Sequence, residues 1–432
     1  MRRRVACALP ATVVAASVGG CDRAASPESD TSSGSASGSS PASPLSDSPS
    51  REKNFLSADA TWYREQLLNG NVRPRLKAAV ASSGFYAPNI ARNWTLKGEQ
   101  RGTLITQSRA IYVASVGYEV TGEAVYRDAL VRTADFLLTK WRHPTERGLW
   151  AKEVSPDGKV LSDEVHRYGQ MQAIFALAHA FRSTQEKRFL DAALNTWLNV
   201  DIRALVAGKR PDYTLTGLNV AMHTFEAMFA LHRAAPSKLL FDDVTLIAEH
   251  ILKYFLNEKE GFFYEHLNEQ MQPLADGEIR VGHNFEMAFL FSRAVASGLH
   301  TKFLDASLRV VNFLADRGIS AANGSVPHEL SYRGTVRDPQ LAFWCHTEAL
   351  RSLAHFAVEH RQARLQPRFD AVLAFAKAHF IDDKYGGWYR VADQPDQGKG
   401  SDRFAGYHEA MMSTEILRLT GYPFKSGPQM LL

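Results

Sequence analysis

The segment VGHNFEMAFL (281–290) joins a hydrophobic stretch to two ionisable groups, His283 and Glu286, near its beginning. Its apolar residues would cover nearly every side of a helix, which is typical of a helix buried in the protein interior. The segments MQAIFALAHA (171–180) and HTFEAMFALH (223–232) have the same character. By contrast, YRDALVRTADFLLTKW (126–141) carries a charged stripe and suits an outer helix. The pattern therefore predicts two layers of helices.

Outer and inner helices alternate along the chain. Twelve helices are predicted, over residues 58–82, 106–121, 123–141, 165–184, 186–207, 217–234, 237–257, 281–299, 301–318, 339–358, 361–380 and 404–420. The even-numbered members are the more apolar ones. Six successive pairs predict an all-α fold, an (α/α)6 toroid whose inner helices run parallel and begin at the same end.

Polar residues interrupt the first turns of these apolar helices at intervals of 59, 55, 60, 63 and 62 residues. They are Arg109, Tyr168, His223, His283, His346 and His408. Because parallel inner helices begin at one end of a toroid, we expect these side chains to meet in one cavity. The positive N-terminal ends of the helices would favour negative charge in that cavity.

Two of the histidines stand three residues before a glutamate, as His223 before Glu226 and His283 before Glu286. This spacing puts both groups on one helix face, where the carboxylate can fix the tautomer of the imidazole. Histidines on two sides of a substrate can remove a proton and return it elsewhere. Arg109 could stabilise the enediolate that forms when a carbon beside a carbonyl loses its proton, and this chemistry needs no cofactor.

Aromatic residues near the same helix ends could stack against a sugar ring. They are Phe343, Trp344, Trp388 and Tyr407.

Three other functions would use the same residues. The two His-x-x-Glu pairs could hold two metal ions. A glycoside hydrolase would need two carboxylates across the glycosidic bond, for which Glu226, Glu286, Glu348 and Glu409 are candidates. A carbohydrate-binding protein without catalysis is the third alternative.

The N-terminal region differs from the rest of the chain. Residues 1–20 have three arginines followed by an apolar stretch too short to span a bilayer, which predicts a signal peptide. It ends in VGGC, which resembles the lipobox of bacterial lipoproteins, so Cys21 is the expected lipidation site. Residues 21–52, rich in serine, are predicted to be a disordered tether, and residues 53–432 the folded domain. We therefore expect a cell-envelope protein on the periplasmic face of a membrane.

Charge and cysteine content exclude other classes. Loss of residues 1–20, with three arginines and no acid, lowers the formal net charge from +4 to +1, so nothing indicates a nucleic-acid partner. Apart from Cys21 and Cys7 of the signal peptide, the only cysteine is Cys345, so no disulfide framework is expected.

The chain between residues 93 and 421 resembles the N-acylglucosamine 2-epimerase superfamily, which includes cellobiose 2-epimerases and mannose isomerases. The motifs that carry the resemblance are QSRAIYV, GLWAKEVSPDGKVL, RYGQMQAIFALA, NVAMHTFEA, VGHNFEMA, FWCHTEAL, GGWY and GYHEA. The resemblance implies an (α/α)6 barrel that opens a reducing sugar and moves the proton on C2 through a cis-enediolate. It does not distinguish an epimerase from an isomerase.

The resemblance also assigns residues. It implies that His283 and His408 form the acid/base pair, that His223 assists and that Arg109 stabilises the enediolate, with no metal. The supporting acids would be Glu226, Glu286 and Glu348. The substrate-binding residues would be Tyr168, Asn219, Trp344, His346, Trp388 and Tyr407.

The chain departs from the family pattern at several positions. Members of the family commonly have two tryptophans and a glutamine where this chain has Phe343, Trp344 and His346, and an arginine in place of Met411. The segment SDRFAGYHEA (401–410) lacks the tryptophan that often contacts a second sugar ring. We therefore expect a monosaccharide substrate rather than a cellobiose-like disaccharide.

Overall fold

The computed structural model describes residues 54–208 and 215–425, and the predicted signal peptide (1–20) and linker (21–52) lie outside this part. Six helices form an inner layer, and their bounds are α3 (Leu104–Thr121), α5 (Arg167–Thr184), α8 (Leu218–Ala234), α10 (Val281–Val295), α12 (Phe343–Glu359) and α14 (Tyr407–Leu419). The outer layer consists of α1 (Ala60–Leu67), α2 (Arg73–Ala79), α4 (Ala124–Lys140), α6 (Lys187–Val200), α9 (Lys238–Phe255), α11 (Lys302–Arg317) and α13 (Gln366–His379), and α7 (Ile202–Val206) is a short connecting helix.

The inner helices form a closed ring. Each one contacts the next along the chain, and α14 contacts α3. Every inner helix is also covered by an outer helix, and α1 packs on α14 to complete the outer layer. The inner helices are buried on almost every side, as their composition predicts. This arrangement is the predicted (α/α)6 toroid.

Several predicted helices end or divide earlier than expected. The first (58–82) is interrupted by a π-helical turn at Leu68–Val72, where asparagine and glycine are poor helix formers. The predicted helix 186–207 ends at Val200, because Asp201 adopts a left-handed conformation with φ of 54° before α7 begins. The last helix begins at Tyr407 instead of residue 404, because Gly406 has φ of 78°.

Short antiparallel strands join the helices at the end of the ring where the inner helices begin. They form three small sheets: β1 (Gly102–Thr103), β2 (Glu153–Val154) and β3 (Val160–Ser162); β4 (Leu256–Asn257) and β5 (Phe262–Phe263); and β6 (Glu278–Arg280), β7 (Glu329–Ser331) and β8 (Val336–Asp338). Strand β1 leads directly into α3, and β6 leads directly into α10. The sheets therefore surround the end of the ring at which the inner helices begin.

Two further features concern the described residues only. Cys345 is buried and makes no disulfide bond. Within residues 54–208 and 215–425, every helix is too short or too polar to cross a membrane.

Candidate active site

A cavity of about 700 Å³ opens at the N-terminal end of the inner helices. Most of the residues predicted to share a site line it, and these are Arg109, Tyr168, Asn219, His223, His283, Trp344 and His408. Each lies in the first or second turn of its helix, so the parallel arrangement of the inner helices brings them together. They come from all six inner helices.

His223 has the partner that the His-x-x-Glu spacing predicts. Its Nδ1 atom lies 2.8 Å from Oε2 of Glu226, one turn along α8. Burial acts to raise the pKa of Glu226, but the hydrogen bond and charge of His223, the hydrogen bond of Tyr407 and the charge of Arg351 together lower it. An ionised carboxylate only accepts hydrogen bonds, so Nδ1 donates and Nε2 is left as an acceptor.

His283 is held by a residue that the sequence pattern did not indicate. Its Nδ1 atom lies 2.9 and 3.0 Å from the two carboxylate oxygens of Glu265, in the loop after β5. The predicted partner Glu286 lies deeper in the ring, where its nearest cation is the guanidinium of Arg351 at 3.8 Å. The expectation that Glu286 orients His283 is therefore wrong.

His408 is paired with a carboxyl group from the neighbouring inner helix. Its Nδ1 atom lies 2.7 Å from Oε1 of Glu348. Burial, reinforced by the charges of Arg109 and His223, lowers the pKa of His408 well below its ordinary value. Burial also raises the pKa of Glu348. Both shifts favour the uncharged forms of the two groups, and the hydrogen bond between them fixes the orientation of the imidazole.

Trp344 lies against both paired histidines. Its ring centroid lies 5.1 Å from that of His283 and 5.7 Å from that of His408. Gly282 permits this position, because a Cβ atom there would lie 2.2 Å from the ring of Trp344. The glycine that precedes His283 in the sequence therefore makes room for the indole.

Arg109 is fixed from several sides. Its Nη2 atom donates to the hydroxyl of Tyr168 at 2.7 Å, and Nη1 donates to the carbonyl of Arg403 at 2.9 Å. The guanidinium also lies over the ring of Tyr407, 4.6 Å from its centroid. A fixed positive charge therefore faces the cavity beside the histidines.

The sequence was compared with known protein families and the fold with solved structures. The sequence profile of the N-acylglucosamine 2-epimerase (GlcNAc 2-epimerase) family matches residues 84–409. The chain belongs to this family.

The similar proteins include sugar isomerases and epimerases. The D-mannose isomerase of Marinomonas mediterranea is 20% identical over 356 residues, which cover 73% of this chain and 86% of the relative. The cellobiose 2-epimerase of Dictyoglomus turgidum is 21% identical over 348 residues, covering 73% and 87%. The structure of cellobiose 2-epimerase from Bacillus thermoamylovorans superposes with a TM-score of 0.76 at 16% identity, covering 84% of this chain and 99% of that one. The protein is an enzyme of the N-acylglucosamine 2-epimerase family.

Three residues predicted to bind substrate do not line the cavity. His346 is completely buried, where Nδ1 donates to the carbonyl of Ala342 and Nε2 accepts from the amide of Val326. Successive helix residues differ by about 100°, so His346 points away from Trp344, two positions earlier.

Trp388 and Tyr407, the other two residues predicted to bind substrate, lie in the core. Trp388 is only 4% exposed and stacks on Phe380, at a centroid distance of 6.0 Å. Tyr407 lies beneath the cavity, and its hydroxyl donates to Glu226. These tyrosine and tryptophan rings therefore support the site without forming its surface.

The cavity also has lining residues that the sequence analysis did not identify as site residues. They include Lys152, His166, Arg280, His328, Arg390, Arg403 and Phe404. All of them lie outside the observed helices, and all but His166 and Phe404 also lie outside the predicted helices, where helical periodicity gives no signal. His328 lies against Trp344 at 5.7 Å and has Nδ1 2.9 Å from Asp338.

A buried charge cluster lies below the cavity. Glu226, Glu286 and Glu348 are fully buried, and the guanidinium of Arg351 contacts Glu348 and lies 3.8 Å from Glu286. Burial alone would lower the pKa of Arg351, but Glu348 and Glu286 raise it above its ordinary value. The guanidinium therefore stays charged and compensates the carboxylates.

The same cluster contains the atoms that a metal site would require. The donor atoms of His223, Glu226 and Glu286 lie within 4.8 Å of one another, as do those of Glu286, Glu348 and His408. Arg351 already places a positive charge against two of these carboxylates. A divalent cation there would be repelled by the guanidinium.

Replacement of Arg351 tests the role of this buried cation. We expect Arg351→Met to lower the free energy of unfolding by about 3–5 kcal/mol, because it leaves the buried carboxylates without their partner. Urea denaturation would measure the change. Arg351→Met combined with Glu348→Gln should recover part of the loss.

The matched control is Arg364→Met, which removes an exposed ion pair with Asp316 and should not change stability measurably. An Arg351→Met variant as stable as this control would contradict the assignment.

Proposed function

We propose that the protein is a sugar 2-epimerase or aldose–ketose isomerase that transfers a proton at C2 of a reducing sugar through a cis-enediolate. The observation that carries the proposal is the pair His283 and His408, which both line the cavity against Trp344 with each Nδ1 bound to a carboxyl group. Their Nε2 atoms are then available to a substrate from two directions. Family membership supports the same class of reaction.

The proton transfers follow from this placement. One imidazole removes the proton from C2 of the open-chain aldose, the C2 electron pair forms a C1–C2 double bond, and the carbonyl oxygen becomes an oxyanion. Delivery of a proton to the opposite face of C2 by the other imidazole gives the epimer. Delivery to C1, with transfer of the O2 proton to O1, gives the ketose instead.

Arg109 is proposed to stabilise the negative charge that develops on the enediolate oxygens. Its guanidinium is preorganised by Tyr168 and by the carbonyl of Arg403, so little reorganisation is required during the reaction. His223, held by Glu226, is proposed to assist the opening of the sugar ring. Because Arg109 supplies the positive charge, the proposed reaction needs no metal or organic cofactor.

The hydrolase alternative is not favoured by the position of the acids. Glu226, Glu286 and Glu348 are fully buried and do not line the cavity. Among the described residues, the carboxylates that do line it are Glu153 and Asp402. A carbohydrate-binding protein without catalysis would not require two imidazoles fixed by buried acids.

Substitution of the two histidines tests the reaction. We expect His283→Asn and His408→Asn each to reduce deuterium incorporation at C2 by at least about 100-fold, because each removes an acid/base group. Incorporation from deuterated buffer into a panel of reducing sugars would be followed by NMR. His143→Asn, at a half-buried histidine outside the cavity, should retain full exchange. Full exchange in both site variants would contradict the proposal.

Glu265 is proposed to position His283. We expect Glu265→Gln to lower kcat by at least about tenfold with little change in KM, because the carboxylate orients the imidazole and does not line the cavity. Steady-state kinetics would separate the two parameters. Exposed Glu269→Gln is the control, and an unchanged kcat in Glu265→Gln would exclude the role.

The protein is also proposed to be a lipoprotein attached to a membrane of the cell envelope through Cys21. Full-length protein made in bacteria should incorporate labelled palmitate and sediment with membranes until detergent is added. Cys21→Ser should be unlabelled and should remain in the supernatant, because it lacks the thiol that carries the lipid. Unlabelled wild-type protein in the supernatant would refute the anchor.

A further inference from the structure

We infer that the substrate is an anionic reducing sugar, whose phosphate, carboxylate or sulfonate group lies against Arg390 and Arg403 while C1 and C2 lie between His283 and His408. This inference rests on the proposed function and names the substrate class of the same site. Four observations carry it: the charge of the cavity wall, the pairing of its cations, their placement, and the helix ends that meet there.

The wall of the cavity is strongly cationic. Its lysine and arginine residues are Arg109, Lys152, Arg280, Arg390 and Arg403, and its acids are Glu153 and Asp402. Glu153 is already paired with Arg101 outside the cavity, at 3.1 Å. The acids of the wall therefore do not balance its cations.

Only part of this positive charge is compensated within the protein. Lys152 forms an ion pair with Glu164 at 2.6 Å, and Arg280 with Glu329 at 2.8 Å. Within the described part of the chain, Arg109, Arg390 and Arg403 have no carboxylate oxygen within 4.0 Å. These three guanidinium groups are the ones available to an anionic ligand.

Arg390 lies where burial of its charge is costly. Its side chain is half-buried over the ring of Phe404, 5.6 Å from the centroid, and its hydrogen bond to the carbonyl of Gln397 is long at 3.4 Å. Burial lowers the pKa of Arg390, and the negative charge of Asp402 offsets this effect only in part. An anion beside the guanidinium would relieve this cost through charge-assisted hydrogen bonds.

Arg403 is an exposed residue of the cavity lining. Its carbonyl accepts from Arg109, so the backbone is tied to the arginine that faces the sugar. Burial lowers the pKa of His166, and the charges of Lys152 and Arg403 lower it further. Lys152 and Arg403 therefore both act on the part of the lining formed by His166, and a charged group of a bound sugar there would be attracted by both cations.

The helix ends add to the positive potential. Five of the inner helices, namely α3, α5, α8, α10 and α12, have no acidic residue in the first turn. The exception is α14, where Glu409 lies 3.8 Å from the buried Arg75. The positive N-terminal ends of these five helices are therefore not neutralised by an acidic residue in the first turn, and they can attract an anionic ligand.

The test compares neutral and anionic sugars in the C2 exchange assay. Glucose and mannose are the neutral substrates, and glucose 6-phosphate, glucuronate and 6-deoxy-6-sulfoglucose are the anionic ones. We expect kcat/KM for at least one anionic sugar to exceed that for the neutral sugars by roughly 10- to 100-fold, and to fall as salt is added. The preferred member of the anionic set identifies the charged group.

Two variants connect this preference to the cations. Arg403→Gln and Arg390→Gln should each lower the ratio of anionic to neutral kcat/KM by roughly tenfold or more, because each removes a charge-assisted hydrogen bond. Arg132→Gln removes an exposed arginine of the outer helix α4 and should preserve the ratio.

The outcomes separate this inference from the proposed function. Equal or better exchange with neutral sugars would overturn the inference and leave the epimerase or isomerase proposal intact. Calorimetric binding of an anionic sugar without exchange, weakened in Arg403→Gln, would support the inference and overturn the proposed reaction. Absence of both binding and exchange for every anionic sugar would overturn the inference.

Discussion

The common direction of the six inner helices is the constraint on which the site depends. The ring closes only when α14 contacts α3, and this closure places the first turns of all six helices around one opening. Residues as far apart in sequence as Arg109 and His408 therefore line the same cavity. The outer helices and short sheets hold this geometry, but the chemistry depends on which side chains occupy the first two turns of each inner helix.

The site separates groups that face the cavity from groups that support them below. Histidine and arginine side chains form the surface, whereas their carboxyl partners are almost completely buried. Burial of several acids close together is unfavourable unless a cation compensates them, and Arg351 supplies that cation from α12. Each histidine consequently has a fixed orientation and an Nε2 atom directed at the cavity, while the acids cannot reach a glycosidic bond themselves.

The sequence predicted the features that follow from helical periodicity. The alternation of apolar and amphipathic segments predicted the toroid, and the three-residue spacing of His223 and Glu226 predicted their hydrogen bond. The same spacing failed for His283, because its ring turns towards Glu265 in a loop whose path no periodic pattern defines. Glu265 does stand as a lone acid after the aromatic run FFY (262–264), which in retrospect is the one signal that could have indicated it.

The rotation of each helix about its axis explains the other differences between the predicted and the observed cavity residues. A spacing near sixty residues assigns a residue to the correct end of an inner helix, but it does not determine which side of that helix faces the cavity. His346 fits the spacing and yet points into the core against Phe375, whereas Trp344 faces the cavity from the same turn. The cationic loop residues Arg390 and Arg403 lie outside any helical register, so only the folded chain brings their charge to the opening. Sequence periodicity thus identified the groups that we propose for proton transfer, whereas the side chains that would select among sugars come from segments that the fold alone positions.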